Sequence, residues 1–126
     1  MKKISVLVVD DSSVVRKIVE RSLRNAGFEL QEVIEAENGL HALDLLEGNS
    51  VDLILSDINM PRMDGIEFLR RLQGLEKARN IPVLMITTVG SEQRVLEAIS
   101  LGALGYIRKP FSAEQVRDQV ARVLAC

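Results

Sequence analysis

Residues Val51–Gly65 read VDLILSDINMPRMDG. The apolar run Leu53-Ile54-Leu55 is too short for a helix and predicts a buried strand. Pro61 and Asp64-Gly65 are turn and breaker residues, so Asp57 stands where a buried strand gives out into a loop. Alone, such a carboxylate is a helix cap or a turn residue. It becomes chemical only if other strands deliver partners to the same place.

Working outward, each flank repeats the same pattern. Ile4–Val9 is β-branched and continuous, a strand buried on both faces, and it ends at Asp10-Asp11. Ser12 or Ser13 caps a helix whose apolar positions are Val15, Ile18, Val19, Leu23 and Ala26, with Gly27 as its stop. Glu29–Ala36 is a second, more polar strand suited to an edge. Asn38 caps a short helix with Leu40, Leu43 and Leu46 inward, ended by Gly48-Asn49. After the Val51–Ser56 strand, Asp64 caps a third helix with Ile66, Leu69 and Leu72 on one face.

Downstream, Ile81–Ile86 is a fourth strand that tolerates Pro82 at its start and ends at Thr87-Thr88. Ser91 opens a fourth helix with Val95, Ala98 and Ile99 inward and Gly102 as stop. Leu104–Ile107 is a fifth strand, ending at Arg108-Lys109-Pro110. Ser112-Ala113-Glu114-Gln115 forms a capping box for a last helix carrying Val116, Val120, Val123 and Leu124. Strand and helix alternate throughout, which predicts an α/β fold: a parallel sheet with helices on both faces.

Composition narrows the function classes. The chain has 126 residues, 47% apolar and 27% charged, as expected of one soluble domain. A net charge of -2 with no basic block argues against nucleic acid as the main ligand. Arg16-Lys17, Arg21 and Arg24 share a helix with Glu20 and read as a solvated face. The single cysteine, Cys126, excludes an internal disulfide and fits a reducing cytoplasm. No apolar run is long enough for a membrane span or a signal peptide. His41 has no second histidine near it in sequence and reads as a surface or packing residue.

Ligands of open parallel sheets bind beyond the carboxyl ends of the strands, where the strand order reverses. The polar residues at those ends are Asp10 and Asp11, Asp57, Thr87 and Thr88, and Lys109. If the strand order is 2-1-3-4-5, strands one and three are neighbours and three carboxylates crowd one cleft. Like charges so close raise one another's pKa unless a cation intervenes. Oxygen donors without histidine or thiolate favour Mg²⁺, which keeps several waters and can exchange one for a phosphoryl oxygen. A carboxylate can attack phosphorus to give an aspartyl-phosphate. Lys109 would then supply charge and Thr87 a hydrogen bond.

VLVVDDS at Val6–Ser12, LILSDINMPRMDG at Leu53–Gly65, MITT at Met85–Thr88 and GALGYIRKPF at Gly102–Phe111 together resemble the receiver domain of two-component response regulators, above all the single-domain chemotaxis type. The resemblance covers essentially the whole chain. It implies a flavodoxin-like, doubly wound sheet of five parallel strands in the order 2-1-3-4-5 with five helices, an order that is the family's own. It makes Asp57 the phosphoacceptor. It assigns Mg²⁺ to Asp10, Asp11, Asp57 and the backbone carbonyl of Asn59, the switch hydroxyl to Thr87, and the phosphoryl partner to Lys109. It makes Tyr106 the aromatic that moves inward on activation and the Lys109-Pro110 bond cis.

The implied function is a phosphorylation-operated switch, not an enzyme with a separate substrate. A sensor histidine kinase supplies the phosphoryl group, and the fourth helix, fifth strand and fifth helix form the face that changes. Candidate partners downstream are the flagellar motor switch or another signalling protein, together with a phosphatase; neither nucleic acid nor membrane is expected. The expected organisation is one receiver domain over 1–126 with no output domain, located in the cytoplasm.

Other readings weigh against this one. Asp10-Asp11 alone would be a cap pair favoured by the helix dipole. Lys109 alone would be a surface lysine, and Tyr106 a half-buried strand aromatic. A phosphatase with a nucleophilic aspartate needs an acid two residues on, and Asn59 stands there. A flavin carrier needs a Ser/Thr/Gly phosphate loop where Asp10-Asp11 would repel phosphate. Thr88 is bulkier than the alanine or glycine frequent at that place in the family, and Val89 and Asn59 cannot activate a water. Slow unaided hydrolysis of the aspartyl-phosphate is therefore expected.

Overall fold

The computed structural model describes residues 3–88 and 92–124. The expected cap at Ser91 and the readings of Val89 and Cys126 lie outside the described residues. The elements are β1 (Ile4–Val9), α1 (Ser13–Asn25), β2 (Leu30–Ala36), α2 (Gly39–Gly48), β3 (Leu53–Asp57), α3 (Gly65–Gln73), β4 (Val83–Thr87), α4 (Glu92–Ser100), β5 (Gly105–Arg108) and α5 (Ala113–Leu124). The five strands are all parallel and lie in the order β2-β1-β3-β4-β5.

The sheet has two cores because successive strand side chains point to opposite faces. Leu7, Val9, Ile54 and Met85 meet Phe68, Leu69 and Leu72 of α3, with Ala42 of α2 and Val95 and Ala98 of α4. Val6, Val8, Leu53, Leu55, Leu84 and Ile86 meet Val19 and Leu23 of α1 and Val116, Val120 and Val123 of α5. β3 and β4 are buried along their whole length, whereas β5 alternates, with Gly105 and Ile107 inward and Tyr106 and Arg108 outward. Phe68, fully buried, is a core residue absent from the periodicity reading; its truncation to alanine costs about 3–5 kcal/mol.

Local chemistry fixes the helix ends. Ser12, Asn38 and Asp64 accept from Val15, His41 and Glu67 N–H at 3.2, 2.9 and 2.9 Å. Ser112 and Gln115 exchange two 3.1 Å bonds, the expected capping box. Gly27 and Gly102 take φ of +98° and +113°, the left-handed conformation that ends a helix.

Three expected core residues are instead exposed: Ile18, Leu40 and Ile99. Each sits next to a residue that takes the core position, namely Val19, Gly39 and Ala98. About 100° separates neighbours on a helix, so when adjacent residues are both apolar the pattern does not say which one faces the sheet. Three strands also run further than expected. β3, β4 and β5 end at Asp57, Thr87 and Arg108, one residue beyond the apolar runs. Asp57 and Thr87 are thus the last strand residues and not the first of the loops. Pairing holds them there, with Asp57 opposite Ile86 and Thr87 opposite Arg108.

Candidate functional site

β1 and β3 are neighbours, with Val9 opposite Ser56, so the next residue of each chain, Asp10 and Asp57, emerges side by side. One carboxylate oxygen from each of Asp10, Asp11 and Asp57 lies within 4.8 Å of the others. Asp10 is 1% and Asp57 9% exposed, while Asp11 is open to solvent. The Lys109 ammonium, carried in from the end of β5, stands 3.3 Å from Asp10 Oδ2 and 3.9 Å from Asp57 Oδ2. The Lys109-Pro110 bond is cis.

The backbone supplies the rest of the polar shell. Ile58 N–H donates to Asp57 Oδ1 at 2.8 Å, and Ser12 N–H donates to Asp10 Oδ1 at 2.9 Å. Asp10 N–H donates to the Ala36 carbonyl at 3.0 Å. Burial, and then the negative charge of Asp10, push the Asp57 carboxyl up to about 6; Lys109 and the N–H groups of Ile58 and Asn59 oppose the shift without cancelling it. The Asp57 charge is therefore under-compensated by the protein alone. Three carboxylates with oxygen-only donors and a raised pKa fit a hard divalent cation such as Mg²⁺.

The expected residues do not all converge to the same degree. Asp10, Asp11, Asp57 and Lys109 form one cluster. Thr87 is buried at the adjacent strand end, and its hydroxyl donates to the Thr88 carbonyl at 3.2 Å. Its own carbonyl accepts from Lys109 N–H at 2.7 Å. Asn59 is exposed, and its backbone N–H acts on the site by lowering the Asp57 pKa. Tyr106 lies outward on β5, 40% exposed. It lines a groove of about 690 Å³ with Ile99, Leu104, Arg108, Gln115 and Asp118.

Two supporting residues were not singled out from the sequence. At Gly65, a Cβ would run into the Asp57 carbonyl oxygen and come within 2.9 Å of the Ile58 Cα. The Gly65 N–H also donates to the Ile58 carbonyl at 2.7 Å, clasping α3 to the end of β3. The pairing of Asp64 with Gly65 was the available signal, but it reads as a turn. Arg16 corrects the solvated-face reading: its side chain is only 15% exposed. It donates to Glu35 at 2.8 Å and to the Asp10 carbonyl at 2.6 Å. His41 keeps its bland role, with Nδ1 accepting from Glu37 N–H at 3.3 Å.

The chain matches the model of the response regulator receiver domain over residues 6–121. It is 38% identical to chemotaxis protein CheY-3 of Vibrio cholerae over 122 residues, 97% of this chain and 92% of the relative. It is 36% identical to chemotaxis protein CheY of Pseudomonas aeruginosa over 118 residues, 94% of each chain. Among solved structures, the chemotaxis response regulator CheY4 of Vibrio cholerae superposes with a TM-score of 0.84 at 36% identity, covering 97% of this chain and 99% of that one. The receiver domain of NtrX from Brucella abortus superposes at 0.85 and 30% identity, covering 95% and 98%. This chain belongs to the response regulators of two-component systems, signalling switches whose receiver domain accepts a phosphoryl group on an aspartate.

Proposed function

We propose that Asp57 is the phosphoacceptor, served by Asp10, Asp11 and Lys109. The observation that carries this reading is the cluster itself: three carboxylate oxygens within 4.8 Å of one another, with the Lys109 ammonium 3.3 and 3.9 Å from two of the carboxylates. An Asp57 oxygen attacks the phosphorus of a kinase phosphohistidine. The new O–P bond forms as the P–N bond breaks, and the imidazole leaves with the bonding pair and takes up a proton. Asp10, Asp11, Asp57 and the Asn59 carbonyl would hold Mg²⁺, which when bound neutralises the carboxylates and the transferring oxygens. Lys109 adds fixed positive charge beside the acceptor, and burial keeps competing water away from it.

Switching then requires a group that prefers the phosphorylated state. Thr87 fits: among the described residues its hydroxyl bonds the carbonyl of the next residue, at 3.2 Å, a contact it can give up for a phosphoryl oxygen. Tyr106 stands outward beside the groove between α4, β5 and α5, so its inward move would reshape that face for a partner. A sensor histidine kinase upstream, a target such as the flagellar motor switch downstream, and a cytoplasmic location accord with the chemotaxis relatives. Asn59 offers no titratable proton, which supports slow unaided hydrolysis and a need for a phosphatase.

The test is incubation with a small acyl phosphate and Mg²⁺, followed by intact mass. One phosphoryl group is expected on the wild type and none on Asp57→Asn. Modification of the Asp57→Asn protein would refute the assignment. Pull-downs with and without phosphorylation then identify the partner.

A further inference from the structure

Asp10 is the most enclosed acid of the site, and each of its polar groups is engaged. Its N–H donates to Ala36, its Oδ1 accepts from Ser12 N–H, and its Oδ2 faces Lys109. The remaining group is its backbone carbonyl, which accepts from Arg16 Nη1 at 2.6 Å. Arg16 is in turn aimed by Glu35 of β2, whose Oε1 accepts from Arg16 Nε at 2.8 Å while its Oε2 takes Lys17 at 2.7 Å. The guanidinium therefore spans three elements. It ties the start of α1 and the edge strand to the one peptide that places both Asp10 and Asp11.

We propose that Arg16 is a positioning residue for the cation site, resting as this does on the metal reading of Asp10, Asp11 and Asp57. β2 fixes the preceding peptide, through the Asp10 N–H, while the Asp10–Asp11 peptide itself is held at its carbonyl by the Arg16 fork. Turning that peptide would swing the Asp11 carboxylate, the exposed member of the cluster, out of line with Asp10 and Asp57. A planar fork with fixed donor directions holds such a plane better than an ammonium does.

The sign of the effect makes the idea testable. Arg16 is a cation near a cation site. By charge alone, its removal should strengthen Mg²⁺ binding. Positioning predicts the reverse. The experiment is calorimetric titration of Mg²⁺ into the full chain without any phosphodonor, for wild type, Arg16→Ala, Arg16→Lys, Glu35→Gln and Lys17→Ala, each checked for folding by circular dichroism. Arg16→Ala is expected to weaken Mg²⁺ about ten-fold, about 1.4 kcal/mol. Arg16→Lys should recover part of this, and Glu35→Gln should weaken binding in the same direction by less. Lys17→Ala, which loses a Glu35 pair but no contact with Asp10, should change the affinity by less than about two-fold.

Acyl-phosphate labelling supplies a second readout: Arg16→Ala should raise the Mg²⁺ concentration needed for half-maximal rate and leave the saturated rate within about two-fold. Should Arg16→Ala fail to fold, the Arg16→Lys and Glu35→Gln titrations decide alone. Unchanged or tighter Mg²⁺ binding by the folded Arg16 variants overturns the proposal, as does an equal loss in Lys17→Ala. A wild type that binds no Mg²⁺ overturns the metal reading itself and this proposal with it.

Discussion

The Asp64 carboxylate at the cap of α3 and the Arg94 guanidinium of α4 meet at 2.9 Å. Asp64 has two duties, since its other oxygen accepts from Glu67 N–H. Burial would raise its pKa, but the Glu67 N–H and then Arg94 outweigh burial and hold the carboxyl below its usual value. Its contribution is therefore complete above the ordinary carboxylate range and is lost as pH falls through the depressed folded pKa. Asp64→Ala loses cap and pair and should cost about 1–2 kcal/mol in urea unfolding at pH 7. Asp64→Asn keeps an acceptor for the cap and should lose under about 1 kcal/mol. Both should speed amide exchange in the first turn of α4. Equal exchange in wild type and both variants would show that the pair does not restrain α4.

Asp57 behaves in the opposite sense. Its folded pKa is raised from 3.8 to about 6, so across that window the folded chain keeps a proton that the unfolded chain has released. Stability from this group therefore falls as pH rises through the window, and the deficit is complete above it. In a chelator at pH 7, Asp57→Asn should be more stable than wild type by up to about 3 kcal/mol, and by nothing below about pH 4. Adding Mg²⁺ should narrow the gap, because binding stabilises the folded wild type more than the variant. A variant no more stable than wild type in chelator at pH 7 would contradict the burial of an uncompensated charge.

Gly65→Ala probes the clasp between β3 and α3. The new methyl group meets backbone atoms of Asp57 and Ile58, which cannot swing aside as a side chain would. The expected cost is about 1–3 kcal/mol, as for other overpacked sites. Acyl-phosphate labelling of Asp57 should slow as well. Labelling at the wild-type rate in a destabilised variant would show that the loop yields on the α3 side and leaves the acceptor in place.

The two adjacent threonines should separate cleanly. Thr87 is buried and Thr88 exposed, although they are neighbours. Thr87→Ala should still accept the phosphoryl group while losing phosphorylation-dependent capture of a partner. Thr88→Ala should retain capture and label somewhat faster, if the bulk of the side chain beside Thr87 narrows access to Asp57. If the two phenotypes are exchanged, the switch hydroxyl has been assigned to the wrong residue.

Much of this was legible in the sequence, for a physical reason. A parallel sheet buries both faces of its central strands, so Val6–Val9 and Leu53–Leu55 stand out as unbroken apolar runs, and the acids that follow them are thrown together. What was illegible depends on partners distant in sequence. Nothing local shows that Arg16 turns back to the Asp10 carbonyl, because Glu35 on another strand aims it. Nothing local shows that Ile18 faces water while Val19 faces the sheet. Gly65 reads as one more turn glycine until the Asp57 backbone is seen pressed against it.

The 2.7 Å bond from Lys109 N–H to the Thr87 carbonyl has a consequence for timekeeping. It pins the backbones of the two strands from which a phosphoryl group would be gripped. A hydroxyl, an ammonium and an outlying tyrosine can then rearrange about single bonds while every rung of the ladder stays made. On the switching proposed above, resetting would need no strand among the described residues to part. The lifetime of the message would then be that of one acyl-phosphate bond, a chemical clock mounted on a frame held by its own ladder.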